Sequence, residues 1–292
     1  MGALNIIVTV KQVPDTHNIS VDAMKEDGTV NRALLPTIFN PEDLNALEEA
    51  LKVKDQLGGK ITVITMGPPK AIEVLKDSLY RGADEAILIS DRKFAGADTL
   101  ATSYSLKCAI EKLGKYDIIF CGRQAIDGDT AQVGPQIAEK LKINQITNII
   151  NVEEVTHESI TLRRQTEYGQ EIVKSRFPVL ITVTAEANEP RFPSVKRVMM
   201  FKNITKKETE ESYDETYLKI DTDRSKKYIT EWSADSIGAD SIKIGLAGSP
   251  TKVKHIEKVV LTANSKNMQD IPNTEVGICA LINELKNEHI FG

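Results

Sequence analysis

Short apolar runs alternate with amphipathic helical patterns over the first half of this 292-residue chain, and this alternation limits the folds open to it. Four runs have the length and composition of buried strands: Asn5–Val10, Ile61–Met66, Glu85–Ile89 and Asp117–Cys121. A helical pattern follows each run before residue 145. Repeated strand–helix units are typical of a parallel sheet covered by helices on both faces, so the sequence predicts a Rossmann-like α/β fold.

The ends of the predicted helices carry residues that favour helix starts and stops. The segment Asn40-Pro41-Glu42-Asp43 opens the first helix, because Asn can cap it, Pro suits its first position and the acids face the positive end of its dipole. Gly58 ends this helix and Gly82 ends the second. The third begins at Asp98-Thr99, and the fourth runs to Leu141.

The hydrophobic period changes from helical to alternating after residue 145. Strands are predicted at 146–155, 159–165, 170–174 and 179–184, as an antiparallel extension, and a weaker alternation around Asp27-Gly28 predicts a hairpin. Residues 202–232 are polar with no clear core face, and residues 278–285 predict a short terminal helix. We therefore expect an α/β domain at 1–190 and a long C-terminal segment at 191–292, whose polar composition permits a mobile or partner-wrapping arm.

Composition excludes several classes of protein. A net charge of −5 with interspersed acids and bases argues against a general nucleic-acid binder. Cys108, Cys121 and Cys279 lie far apart, so neither a zinc site nor an iron–sulfur cluster is implied, and no metal is expected. The first residues lack a signal-peptide pattern and no apolar run reaches membrane-spanning length. We expect a cytoplasmic protein without membrane insertion.

The segment from Cys121 to Gln136 leads from a strand through glycines into a helix, which is a geometry that binds phosphates. Arg123 adds a planar donor fork suited to pyrophosphate, and Thr130 adds a hydroxyl. Asp127 and Asp129 carry the wrong charge for phosphate, but they suit helix capping or ribose hydroxyls. By spacing alone, an ordinary α/β loop capped by Asp129 is an equal alternative.

A second candidate for anion binding lies in the sequence GADTLATS at 96–103. Its small residues and hydroxyls at a helix start would let a diphosphate approach closely, although Asp98 alone more often caps a helix. The four histidines are scattered, none beside a plausible nucleophile, so no catalytic residue is predicted.

Six segments, in this order, resemble those of the electron transfer flavoprotein β-subunit family: VTVKQVPD at 8–15, NPED at 40–43, TMGPPK at 65–70, GADEAILISDRKFAGADTLATS at 82–103, CGRQAIDGDTAQVGPQ at 121–136 and EIVKSRFPVLITVT at 171–184. The resemblance is close over residues 4–200. It implies a nucleotide site built from strand-end loops. The implied residues are Thr9, Val10, Lys11, Asn40, Asp43, Met66, Asp98, Thr99, Thr102, Gly122, Arg123, Gln124, Ala125, Ile126, Asp127, Gly128, Asp129, Thr130, Ala131, Gln132 and Val133.

The resemblance is to the branch whose β-subunit holds FAD, and it implies electron bifurcation. NADH would pass a hydride to this FAD, and the two electrons would separate. One would go to ferredoxin or flavodoxin, and the other to an FAD in the α-subunit and on to a dehydrogenase of acyl-CoA or lactate type. This chain would thus be the electron-transfer subunit of an NADH- and ferredoxin-linked flavoprotein dehydrogenase complex. One alternative is a simple electron carrier whose β-subunit binds structural AMP. Another, of a different class, is a nucleotide-binding regulator of the universal stress protein type.

The resemblance also implies two surfaces for partners. The C-terminal tail of the chain would embrace the α-subunit, and a recognition loop near Pro190 would bind the dehydrogenase. The candidate anchors are Phe192, Val195 and Val198, with Lys196 and Arg197 on the rim. Apolar side chains inside a polar rim suit an interface, although a proline-bounded connector explains the same residues.

Overall fold

A computed structural model describes residues 3–15, 36–202, 228–251, 272 and 274–287. The chain forms two compact units, Met1–Lys252 and Val253–Gly292. The second unit contains the helix Glu275–Asn287, which confirms the predicted terminal helix. The hairpin predicted around Asp27-Gly28 lies outside the described residues.

A nine-stranded sheet forms the centre of the first unit. Its strands are β1 (Asn5–Thr9), β4 (Lys60–Met66), β5 (Glu85–Ile89), β6 (Ile118–Gly122), β7 (Asn144–Val155), β8 (Ser159–Thr166), β9 (Gly169–Arg176), β10 (Val179–Val183) and β11 (Ile229–Trp232). Their order across the sheet is β11-β5-β4-β1-β6-β10-β7-β8-β9. The two remaining strands, β2 (Gln12–Pro14) and β3 (Thr37–Phe39), form an antiparallel pair of their own.

Neighbouring strands from β11 to β7 are parallel, and β8 is antiparallel to both of its neighbours, β7 and β9. This confirms the mostly parallel sheet and its antiparallel extension. The prediction grouped the strand at 179–184 with the extension, and that grouping is wrong for β10. Val179–Val183 instead lies in the parallel part, between β6 and β7, with all five residues buried.

Helices cover both faces of the sheet. The helices of the first unit are α1 (Pro41–Leu57), α2 (Ile72–Arg81), α3 (Thr99–Leu113), α4 (Val133–Leu141) and α5 (Val195–Phe201). The helix of the second unit, Glu275–Asn287, is named α6. Leu47 of α1 and Leu75 of α2 pack in one apolar core, whereas Ile110 of α3 and Ile137 of α4 pack in the other. Since side chains alternate along a strand, β1 contributes to both cores.

Two predictions for the second half of the chain need correction. The sequence predicted no core-facing element within residues 202–232, but Ile229–Trp232 pairs in parallel with β5 as β11. The proposed recognition loop also contains a helix, because α5 begins at Val195 after Ser194. The domain boundary at residue 190 stays a prediction.

Candidate functional site

A cavity of about 410 Å³ lies at the carboxyl ends of β1, β4 and β6. The chain runs from β1 outward to β4 and β5, then crosses to β6 on the other side of β1. Ligands of open α/β sheets bind at such a switch point. The lining residues are Thr9, Val10, Lys11, Asp43, Met66, Phe94, Gly96, Ala97, Asp98, Thr99, Thr102, Leu106, Cys121, Gly122, Arg123, Gln124, Ala125, Gly128, Thr130, Ala131, Gln132, Val133 and Gly134.

Asn40 holds the loop between β6 and α4 in place. Its Nδ2 donates to the Gln124 carbonyl at 2.8 Å, and its Oδ1 accepts from the Ile126 amide at 3.1 Å. The side chain makes no capping bond to α1, so the predicted cap is wrong. Because the residue is fully buried, its amide works as an internal clamp between the start of α1 and the loop.

The two acids after Pro41 extend this clamp to a second loop. Asp43 accepts from the Lys11 amide at 2.8 Å and from the Gly122 amide at 3.1 Å. Glu42 accepts from the Gln124 amide at 2.8 Å and pairs with Arg123 at 3.0 Å. The predicted acids therefore connect the loops after β1 and β6, in addition to facing the positive end of α1.

Burial sets the charge behaviour of the cavity floor. It raises the pKa of Asp43 from 3.8 to about 7, although the hydrogen bonds from the Lys11 and Gly122 amides and the charge of Lys11 oppose the rise. Burial also raises the pKa of the Cys121 thiol to about 12, so this cysteine on the cavity wall stays a neutral thiol. Gly122 has to be glycine because a Cβ there would lie 2.4 Å from Asp43 Oδ1.

The loop before α4 turns its backbone amides outward. Asp129 and Ala131 have φ angles of 46° and 52°, in the left-handed region that residues other than glycine seldom adopt. In the described part of the chain, the amides of five consecutive residues have no acceptor: Thr130, Ala131, Gln132, Val133 and Gly134. Unpaired amides at a helix start and beside left-handed residues form a concave site for an anion.

One alternative predicted that Asp129 caps α4, but the Asp129 side chain makes no such bond. Its carboxylate accepts from Gln124 Nε2 at 3.0 Å, and α4 begins only at Val133 without a side-chain cap. An ordinary loop capped by Asp129 is therefore ruled out for this segment. The unpaired amides remain open to a ligand because no side chain caps them.

Asp98 at the start of α3 is a helix cap. Its Oδ1 accepts from the Leu100 and Ala101 amides at 2.9 and 3.0 Å, and its Oδ2 accepts from the Thr251 hydroxyl at 2.7 Å. Although burial raises the pKa of Asp98, these hydrogen bonds outweigh it and lower the pKa overall. The carboxylate thus stays ionised at the edge of the cavity.

The starts of α3 and α4 are linked across the cavity. Thr99 Oγ1 donates to Gln132 Oε1 at 2.9 Å, and Ser103 Oγ donates to Gln136 Oε1 at 2.8 Å. Thr102, one turn along α3, lines the same cavity. The two segments that the sequence singled out for anions therefore face one another.

Each cation on the cavity wall is paired with a carboxylate. Lys11 Nζ lies 2.7 Å from Asp127 Oδ1, and Arg123 Nη2 lies 3.0 Å from Glu42 Oε1. The Arg123 fork keeps Nη1 without a partner in the described residues. For a negatively charged ligand, the cavity therefore offers the Arg123 edge that carries Nη1, and the Lys11 ammonium, which is held in a partly exposed ion pair.

Most of the predicted site residues meet at this one cavity. Asn40, Ile126, Asp127 and Asp129 do not line it, and they act on the loop from behind or at its tip. Six apolar or small lining residues are absent from the predicted set: Phe94, Gly96, Ala97, Leu106, Cys121 and Gly134. Gly96, Ala97, Cys121 and Gly134 lie in the two segments that the sequence singled out for anions, whereas Phe94 and Leu106 carried no sequence signal of a site.

The predicted partner residues lie on and before α5. Phe192 and Val195 are exposed, at 91% and 79%, and Lys196 is also exposed. Val198 is half-buried. Arg197 is not on an open rim: its Nε donates to the Leu79 carbonyl at 2.6 Å and its Nη2 to the Ala83 carbonyl, which fixes α5 to the end of α2.

No helix within the described residues is long and apolar enough to cross a membrane. Within the same residues, no cluster of His, Cys, Asp and Glu has the arrangement of a metal site.

Comparison with known proteins identifies the family. The electron transfer flavoprotein domain matches residues 27–215. "Electron transfer flavoprotein subunit beta" of Clostridium acetobutylicum is 44% identical over 288 residues, covering 98% of this chain and 99% of the relative. "Caffeyl-CoA reductase-Etf complex subunit CarD" of Acetobacterium woodii is 38% identical, with 98% and 100% covered. "Acryloyl-CoA reductase electron transfer subunit gamma" of Anaerotignum propionicum is 42% identical, with 86% of each covered. The chain therefore belongs to the electron transfer flavoprotein β-subunit family.

Proposed function

We propose that this chain is the β-subunit of a bifurcating electron transfer flavoprotein and binds FAD in the cavity between β1 and β6. FAD held there would supply hydride and single-electron chemistry between NADH, ferredoxin or flavodoxin, and the α-subunit FAD. The chain itself supplies position and electrostatics for the cofactor. No step in this role needs an acid–base side chain from the chain.

The observation that carries the proposal is the row of unpaired amides from Thr130 to Gly134 beside Arg123. Backbone amides and a guanidinium edge are the donors that a diphosphate prefers. The start of α3 faces this row across the cavity, which gives a dinucleotide a second polar wall. Met66 and Phe94 add apolar surface for a ring system.

The names of two relatives support an acyl-CoA type of partner. One is called a subunit of a caffeyl-CoA reductase complex and another an electron transfer subunit of acryloyl-CoA reductase. We therefore propose a flavin-dependent dehydrogenase of acyl-CoA type as the final acceptor, reached through an α-subunit, with lactate dehydrogenase as the alternative.

Structural AMP is the second candidate ligand, and a specific observation favours it. The Leu100 and Ala101 amides donate to the Asp98 carboxylate and the Thr99 hydroxyl donates to Gln132, so the start of α3 offers few free donors. AMP needs only one phosphate cradle, and the amides before α4 suffice for it. The regulator of the universal stress protein type is disfavoured by family membership.

Cofactor content separates these candidates. The full chain would be purified with its α-subunit, the complex denatured, and FAD and AMP quantified by chromatography. Two FAD and no AMP for each heterodimer would support the bifurcating role and justify assays of NADH oxidation with ferredoxin. One FAD and one AMP would support the simple carrier. Neither nucleotide would overturn the proposal.

Replacing Arg123 with Ala tests the cavity itself. We expect retention of the nucleotide to fall by about tenfold, because one charge-assisted contact to phosphate is lost. Arg163→Ala is a matched control, since Arg163 pairs with Glu153 on the β7–β8 hairpin. Unchanged nucleotide content in the Arg123 variant would contradict its role.

A further inference from the structure

We propose that Asp127 is an internal competitor of the bound phosphate: it holds the Lys11 ammonium until a nucleotide phosphate replaces it. The inference rests on the proposed function, because it requires a phosphate-bearing ligand in the cavity. It concerns how tightly this chain holds such a ligand, and it makes Asp127 a positioning residue that acts through Lys11.

The first step is the position of the pair. Lys11 lines the cavity, whereas Asp127 does not. Both Asp127 oxygens accept from Lys11 Nζ, at 2.7 and 2.9 Å. The carboxylate therefore draws the ammonium toward the tip of the loop. The Lys11 backbone is fixed separately, since its amide donates to Asp43 and its carbonyl accepts from Asn40. Only the side chain has to move.

The second step is that the pair contributes little to loop structure. The loop is fixed on both sides of Asp127 by other bonds. On one side the Gln124 and Ile126 amides donate to Glu42 and Asn40, and on the other the Gly128 amide donates to the Ala125 carbonyl. The Lys11 and Asp127 side chains are 47% and 24% exposed, and such pairs are weak in water.

The third step compares the two anions available to Lys11. A phosphate in the cradle formed by the amides of Thr130 to Gly134 is held by several donors at once. Asp127 holds the ammonium by a single carboxylate, in a pair that is partly open to solvent. A phosphate near Lys11 would thus bind the ammonium with little loss of loop stability, and the Asp127 carboxylate would become solvated. Removing the carboxylate should therefore tighten nucleotide binding.

Calorimetric titration of the full-length chain with AMP, FAD and adenosine tests this. We expect Asp127→Asn to lower the Kd for AMP and FAD by about fivefold, and to leave adenosine binding unchanged because adenosine has no phosphate. Asp129→Asn is the matched control. It removes the same charge from the same loop, but Asp129 accepts from Gln124 and pairs with no cation in the described residues. Its Kd should change less.

A double-mutant cycle with Lys11→Met isolates the pair. If Asp127 acts through Lys11, Asp127→Asn in the Lys11→Met background should change the Kd for AMP no more than Asp129→Asn does. The gain from Asp127→Asn should also shrink as salt rises, which a purely structural effect would not do. Urea unfolding of each variant checks that the fold is retained.

Three results would overturn the inference: weaker binding in Asp127→Asn, an equal gain in Asp129→Asn, or a gain that extends to adenosine. Each of them leaves the proposed function standing if the wild-type chain binds FAD. A wild-type chain that binds neither nucleotide, alone or with its α-subunit, would instead overturn the proposed function and this inference together.

Discussion

The Asn40 side chain hydrogen-bonds the loop before α4 through both the nitrogen and the oxygen of its amide, and the residue is fully buried. Replacing it with Ala leaves the Gln124 carbonyl and the Ile126 amide without their partner. We expect the free energy of unfolding to fall by about 2 kcal/mol, as measured by urea titration. Asn151→Ala is the control, because Asn151 is exposed and its side chain hydrogen-bonds only Glu153 among the described residues. Equal losses in the two variants would contradict the clamp.

Asp43 gives the fold a pH dependence. Burial raises its pKa from 3.8 to about 7, so between these values the folded chain binds more protons than the unfolded chain. Its contribution to stability is therefore largest at low pH and is lost as pH rises from about 4 to about 7. Replacing Asp43 with Asn removes this titration.

Unfolding of the wild-type chain and the Asp43→Asn variant, compared from pH 5 to pH 8, measures that contribution. The wild type should lose stability relative to the variant over this range, by at most ~3 kcal/mol, and the difference should be level above pH 8. A difference that does not change with pH would show that the Asp43 carboxylate titrates elsewhere.

Residue types predicted the location of these side chains but not their contacts. Asn40 and Asp98 both precede a helix, and the same rule predicts a cap for each. Asp98 caps α3, whereas Asn40 faces a loop more than eighty residues away along the chain. The difference depends on which segment packs over the helix start, and a local pattern does not contain that information.

At the scale of elements, β11 depends on its pairing with β5. Ile229–Trp232 forms the edge of the sheet, and Trp232 packs in the second core with Lys112 Nζ 4.6 Å from its ring centre. Alternate amides of an edge strand face the sheet and the solvent. Proline has no N–H, so of the variants Thr230→Pro and Glu231→Pro one should lose a backbone hydrogen bond between β11 and β5. The other should lose only an N–H that faces solvent.

Fluorescence measures this directly, because Trp232 is the single tryptophan of the chain. The damaging variant should lose about 3 kcal/mol of stability and shift the Trp232 emission to longer wavelength. The other proline variant is its matched control. If neither variant shifts the emission, β11 does not hold Trp232 in the core.

Periodicity predicted the four parallel strands and four helices of the first half, but it missed β2 and β3, which have three residues each. It missed β11 because a four-residue strand in a polar segment carries no period of its own. It also could not place β10, because a fully buried strand has the same hydrophobic pattern whether its neighbours are parallel or antiparallel. Pairing between distant segments decided both cases.

At the scale of the whole molecule, we propose that the exposed apolar residues on and just before α5 dock a partner. Phe192, Val195 and Met199 are exposed there, while Arg197 and the buried Phe201 fix the helix to the body. Replacing Val195 with Asp should lower the rate of electron transfer to the dehydrogenase by about tenfold, because a charge would enter an apolar contact. The measurement is reduction of the dehydrogenase by the purified complex.

The Val195→Asp variant should keep its nucleotide, since the cavity lining does not include α5. An acid at the first position of a helix also favours its dipole, so the fold should be kept. Tyr168→Asp, at the fully exposed turn between β8 and β9, is the control for added charge. Loss of nucleotide in Val195→Asp would contradict a role limited to docking.

The position of β10 has a consequence for synthesis on the ribosome. β10 separates β6 from β7, although it is made after both of them. As the chain emerges, β6 therefore has an open edge until residue 183 has left the exit tunnel, and the hairpin from β7 to β9 cannot yet join the growing sheet. Open strand edges invite pairing with other nascent chains. We expect the interval between the emergence of residues 122 and 183 to be when this protein depends most on chaperones.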